Sequence, residues 1–192
     1  PERVKALTLR GIFMLRRSEL LWFYQEGASH IFPDAWEGFL APIPPRERGD
    51  LMTAYYKRLT SRNRAVRKEA AKAWSVWEGT TSKLFTDPAV IKRFGGGRFA
   101  DAFARIEAHY FVNKGFFEHD DQLLRNVHRL RKIPAVIVQG RYDVVCPATS
   151  AWDLHRAWPE AKLVMVPDAG HSMTEPGIRS ALIEATDSFA KL

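Results

Sequence analysis

The stretch that most constrains this chain is "AVIVQGRYDVVCP", residues 135–147, which opens with four apolar residues in an unbroken run. A strand with one face in water alternates polar and apolar residues, whereas a strand covered on both faces need not. Ala135–Val138 therefore reads as a strand inside a covered sheet. After it come a helical pattern over Thr149–Trp158, a second apolar strand over Lys162–Val166 and a helix over Glu175–Phe189. Strand-helix-strand-helix with apolar strands predicts a parallel sheet with helices on its faces. One more short strand, Val4–Leu9, lies near the start of the chain.

Between these strands, from about Ser18 to about Asn126, the apolar residues keep helical spacing. Leu51, Ala54, Tyr55 and Leu59 form one such series, Val66, Ala70, Ala73 and Trp77 another, and Phe99, Phe103, Ile106 and Tyr110 a third. "DPAVIKRF" opens with an Asp cap and a proline in the first turn, and "FGGG" ends that helix. The expected organisation is a core strand in residues 1–17, a helical cap in 18–126 and a βαβα core in 127–192: an α/β fold carrying an inserted all-helical cap.

Composition removes several classes. With 46% hydrophobic and 27% charged residues over 192 positions, the chain can bury a real core and is not of the disordered type. No apolar run approaches the ~18 residues of a membrane span, so no membrane partner is expected. One cysteine excludes an internal disulfide, which fits a reducing compartment, and the default expectation is a cytoplasmic protein. The net charge of +7 raises the question of nucleic acid. The basic residues fall into separate groups, Arg58 to Lys68 and Arg125 to Lys132, with acids between, and no zinc-finger spacing or RNP-like motif is present. A solvated basic face is expected, and no nucleic-acid partner. No Cys/His cluster has ligand spacing, so neither a metal nor a cofactor is expected.

The apolar strand at 135 ends in an acid. Asp143 follows it, and 28 residues later His171 of "PDAGHS" follows the next strand, "KLVMV". If the two strands are neighbours their ends lie about 5 Å apart, at the carboxyl edge where open α/β sheets bind ligands. Asp143 can then accept from one imidazole nitrogen of His171 and leave the other as a general base. Taken singly, Asp143 also reads as a turn former and His171 as a structural histidine. The order Ser, Asp, His on such a sheet goes with a Gly-x-Ser-x-Gly elbow, and none of the nine serines has glycines at that spacing. Cys146 lies in the acid's own loop rather than on an elbow. An acid and a base are present without a nucleophile.

"PERVKALTLRGIFMLRR", "WFYQEGA", "WSVWEGTT", "ARIEAHYF", "GRYDVVCP" and "AGHS" resemble the proline iminopeptidases of the α/β-hydrolase superfamily, and the likeness runs over nearly all of the chain. In that family "PERV" closes the helix after the nucleophile elbow. The resemblance implies that the serine, its elbow and the oxyanion loop precede Pro1, and that this chain is the C-terminal part of an α/β-hydrolase sheet together with the whole cap. It would then pair with a missing N-terminal half and be inactive alone. The resemblance makes Asp143 and His171 the triad's acid and base. It makes Glu78 and Glu107 the acids that hold a free amino terminus, and Phe13, Tyr24 and Phe111 the apolar pocket for a prolyl ring. The implied activity is a serine aminopeptidase that releases N-terminal proline from a peptide or small amide.

The residues themselves lend weight to the two glutamates. Glu107 is four residues from both Phe103 and Phe111, and Glu78 follows Trp74 by four and Trp77 by one. Carboxylates buried among rings are costly unless compensated, and a cationic ligand would compensate them, with cation–π attraction from the rings. Each glutamate meeting an arginine or water is the plain alternative. Two other functions stay open: an α/β-hydrolase for an ester or epoxide, and a capped fold kept as a binding module. A bulky adduct on Cys146, three residues from Asp143, is expected to displace the acid and inhibit the intact enzyme.

Overall fold

The computed structural model describes residues 1–190 and 192. In chain order its main elements are β1 (Leu7–Arg10), α1 (Arg17–Tyr24), α2 (Pro33–Leu40), α3 (Leu51–Leu59), α4 (Arg64–Thr81), α5 (Pro88–Phe94), α6 (Gly97–Val112), α7 (Gln122–Arg125), β2 (Ala135–Gly140), α8 (Ala148–Ala157), β3 (Lys162–Val166) and α9 (Pro176–Ser188). They fall into two compact units. One comprises Pro1–Met14, Ser82–Leu84 and Glu118–Leu192, the other Leu15–Thr81 and Phe85–Phe117.

The first unit is built on a three-stranded parallel sheet in the order β1-β2-β3. All six residues of the central strand β2 are buried, and the reason is visible in their alternation. Ala135 and Ile137 join Ala151 and Leu154 of α8, with Trp158, Ile12 and Met14, in one apolar cluster. Val136 and Val138 join Val166, Ile178 and Ala185 in a second, against α9. Each face needs its own apolar set, so the strand reads as a continuous hydrophobic run. Truncating the fully buried Ile137 to alanine is worth about 2–5 kcal/mol.

The second unit is helical, with α4 packed against α2, α3, α5 and α6. Its centre is aromatic: Phe39, Tyr55, Trp74 and Trp77 are almost completely buried. Helix starts follow side-chain chemistry. Asp50 accepts from the Thr53 N–H at 3.1 Å, and Asp87 accepts from the Ala89 N–H at 2.9 Å with Pro88 at the first helical position.

Several expected boundaries move. The opening core segment ends at Met14 rather than residue 17, and the helical unit starts at Leu15 rather than 18. The opening strand begins at Leu7 rather than Val4, since pairing with β2 starts at Leu7↔Ala135 and the Val4 N–H instead donates to the Pro1 carbonyl in a turn. The helical unit ends at Phe117 rather than 126, because the residues that follow serve the sheet's core: Val127 is buried in the cluster under β2, with Leu124 and Leu130 against it. Ser82–Leu84 also leave the helical unit for the sheet unit, held there by hydrogen bonds described below.

Candidate active site

The sheet unit places Asp143 and His171 together. Both follow the carboxyl ends of neighbouring parallel strands, β2 and β3. The loops are tied by backbone bonds, from the Arg141 N–H to the Val166 carbonyl (2.8 Å) and from the Tyr142 N–H to the Ala169 carbonyl (3.0 Å). Gly140 makes this approach possible, because a Cβ there would stand 2.0 Å from the Gly170 carbonyl oxygen.

His171 Nδ1 and Asp143 Oδ2 are 2.9 Å apart. The Asp143 side chain is 1% exposed and that of His171 21%. Two further donors complete the acid: the Cys146 N–H reaches Oδ1 at 2.8 Å and Gln139 Nε2 reaches Oδ2 at 3.0 Å. Cys146 N–H and Gln139 Nε2 can only donate, so the carboxylate is an acceptor, and the tautomer of a neutral His171 that suits it carries its proton on Nδ1 and leaves Nε2 with the free lone pair. That is the arrangement a general base needs.

The backbone around the base is fastened as well. The His171 N–H donates to the Ser82 carbonyl at 3.1 Å, and the Arg10 guanidinium donates to the His171 carbonyl. Glu175 accepts from the Gly170 N–H at 3.0 Å and the Leu84 N–H at 3.3 Å. Gly11, at φ +55°, lies so close to the ring that a Cβ would meet His171 Cε1 at 2.9 Å. Arg10, Gly11, Gln139, Ser82 and Glu175 were outside the sequence expectation. Of these only Gln139 carries a visible signal, as a polar residue closing a run that is otherwise apolar.

The helical unit brings four of the expected residues together. Glu78 on α4 is 7% exposed and takes the hydroxyl proton of Tyr24 on α1 as a hydrogen bond. Glu107 on α6 accepts from Trp74 Nε1 at 2.9 Å. Tyr24 stacks on Trp74 with centroids 4.4 Å apart and lies 5.5 Å from Phe111. Tyr24 is thus more than the expected apolar wall, since its hydroxyl engages the acid. Phe103, expected to share a face with Glu107, instead packs with Phe94 and Phe99. Phe13 belongs to the sheet unit, where it is 37% exposed.

Among the described residues the partners of the two glutamates are a phenol and an indole, not a guanidinium or an ammonium. Burial drives the Glu78 carboxyl well above the usual carboxylate range and the charge of Glu107 adds to the rise, against the opposing bond from Tyr24. Burial pushes Glu107 up to about 7, against the opposing bond from Trp74. The two carboxyls therefore resist being charged together. Among the described residues no group of His, Cys, Asp and Glu is arranged to hold a metal ion.

Comparison with known proteins agrees with this architecture. The family pattern of the alpha/beta hydrolase fold matches residues 1–177. The chain is 67% identical over 189 residues to a probable proline iminopeptidase of Leptolyngbya boryana, covering 98% of this chain and 59% of that protein. It is 63% identical to the proline iminopeptidase of Xanthomonas citri, covering 96% and 59%, and 52% identical to that of Arabidopsis thaliana, covering 100% and 51%. The chain thus spans between half and three-fifths of the length of these curated relatives. With its parallel sheet, its acid and histidine on adjacent strand ends and a match that covers most of its length, the chain belongs to the alpha/beta hydrolase fold family.

Proposed function

We propose that this chain is the acid–base and amine-binding part of a serine aminopeptidase that releases N-terminal proline. In the intact protein a serine from outside this chain attacks the scissile carbonyl. His171 Nε2 takes the hydroxyl proton and passes it to the leaving amine, while Asp143 holds the imidazole through Nδ1. Glu78 and Glu107 receive the substrate's ammonium, and Tyr24, Phe111 and Phe13 offer apolar surface to the prolyl ring. The observation that carries this choice is the pair of buried carboxyls bonded to a phenol and an indole. A dyad alone fits any hydrolase of this fold, whereas a buried pair of carboxyls favours a cationic substrate. The names of the relatives point the same way.

No helix among the described residues is long and apolar enough to cross a membrane. A cytoplasmic location belongs to the same proposal, supported by the single cysteine. Assay of the full-length protein on a proline arylamide, its N-acetylated form and simple aryl esters tests the proposal. Cleavage confined to the free-amine arylamide is expected; a strong preference for esters, or equal cleavage of the acetylated substrate, would overturn it.

A further inference from the structure

We propose that Gln139 is a positioning residue for the dyad, whose carboxamide fixes Asp143 as an acceptor toward His171. The proposal rests on the acid–base assignment made above. Gln139, next to last in the central strand, has no exposed surface, a costly place for an amide unless its hydrogen bonds are made. They are made, and only one orientation of the amide permits them. On one side stand three acceptors, Asp143 Oδ2 at 3.0 Å, the Cys146 carbonyl at 2.9 Å and, more distant, the Gly140 carbonyl at 3.5 Å. On the other stands a donor, the Ile12 N–H, 3.1 Å from Oε1. The nitrogen must therefore face the acid.

Three consequences follow for the site. Oδ2 receives two N–H groups, from Gln139 and from His171, while Oδ1 receives the Cys146 N–H. With both nitrogens aimed at it, Oδ2 serves as an acceptor alone, and the carboxylate cannot swing away from the ring without breaking the hydrogen bond from the Gln139 amide. The same side chain joins the segment after β1, at Ile12, to the acid's loop, at Cys146. An amide is suited to this task because it neither gains nor loses a proton over the working pH range.

The test uses the full-length protein with Gln139→Glu. This variant keeps the volume and the acceptor for the Ile12 N–H, and replaces the Nε2 donor that faces Asp143 and the Cys146 carbonyl. Two carboxyls at hydrogen-bond distance then share one proton, as in acid dyads. The expected result is a kcat lowered about ten- to hundredfold, the range of a hydrogen bond to a charged group, with KM little changed and a new alkaline limb in the pH–rate profile where the shared proton leaves. Gln139→Met is expected to lower kcat similarly without the new limb. A merely structural role would lower the melting temperature and leave the profile's shape alone.

A wild-type measurement stands beside the variants. The Gln139 side-chain amide resonances in a ¹H–¹⁵N spectrum are expected to shift across a pH series, whatever the substrate. Resonances flat across that series, or a folded Gln139→Glu protein with unchanged kcat and pH profile, would overturn the proposal. If Gln139→Glu does not fold, the wild-type resonances decide. Failure of the wild type on proline arylamides would defeat the functional proposal and leave the spectroscopic outcome to decide this one.

Discussion

The two units bury carboxyl groups in opposite ways. In the sheet unit Asp143 meets three N–H donors, and its needs are met by the protein itself. In the helical unit, among the described residues, Glu78 and Glu107 each meet one donor on an aromatic residue, and the charge of Glu107 bears on Glu78. The difference teaches what each site is for. A carboxylate surrounded by donors is a fixed part that orients something else, here an imidazole. A pair of carboxyls left short of donors is costly, and under the proposed function a substrate ammonium offsets that cost. On that proposal the first site is complete before substrate binds and the second is completed by it.

Breaking the complete site should have the largest effect. In the full-length protein, His171→Ala and Asp143→Asn are each expected to lower kcat by about 10⁴-fold, the scale seen when a triad loses its base or the correct tautomer. Steady-state kinetics on a proline arylamide reads this, and a loss of less than tenfold for either would remove the dyad from the chemistry.

Breaking the incomplete site should act on binding and be smaller. Glu78→Gln and Glu107→Gln are each expected to lower kcat/KM for the free-amine substrate about ten- to hundredfold, the value of a charge-assisted hydrogen bond. Discrimination against the acetylated substrate should shrink in parallel. Because the two acids act as a unit, the double variant should fall short of the product of the singles.

The same substitutions sharpen the contrast through stability. A carboxyl whose folded pKa lies above its unfolded value holds its proton more tightly when folded. Its protonated form therefore costs nothing below the unfolded value near 4.5, and the cost grows as pH rises from there to about 7 and levels off above it. Glu107→Gln is accordingly expected to match the wild type in stability and melting temperature at pH 4. At pH 8 it should melt higher, with a stability gain of roughly 3 kcal/mol at most. An equal or lower melting temperature at pH 8 would mean that the empty pair is already compensated.

The smallest effect is expected at Cys146, whose N–H holds Asp143 Oδ1 through the backbone. Cys146→Ser should leave kcat nearly unchanged and abolish inhibition by a bulky thiol reagent. Full activity of wild type after confirmed modification of Cys146 would show that the acid's loop tolerates the adduct.

Legibility in the sequence followed the range of the interactions. β2, β3, α8 and α9 were readable because their apolar patterns record which faces are covered, a local property. Lys162–Val166 was placed to the residue. Asp143 and His171 were readable as a pair because parallel strand ends bring them together whatever the details. Gln139 was not, since its role depends on Ile12, 127 positions away in the chain. The glutamates could be seen to sit among aromatics, yet their partners could not be named. The spacing of four set Trp74 beside Glu78, whereas its indole bonds Glu107, 33 positions on, and the phenol on Glu78 comes from 54 positions before it. The change of unit at Phe117 was equally hidden, because helical spacing does not say which core a short turn will cover.

The central claim is that the buried acid pair exchanges its proton for a substrate ammonium. Calorimetric titration of the full-length protein with prolinol, an amine with no bond to cleave, performed near pH 6.5 in buffers of different ionisation enthalpy, counts the protons displaced. Binding accompanied by net proton release, lost in Glu107→Gln and absent with N-acetylprolinol, is the outcome the account predicts. Prolinol binding with no proton release, or binding of the acetylated compound with equal affinity, would contradict it.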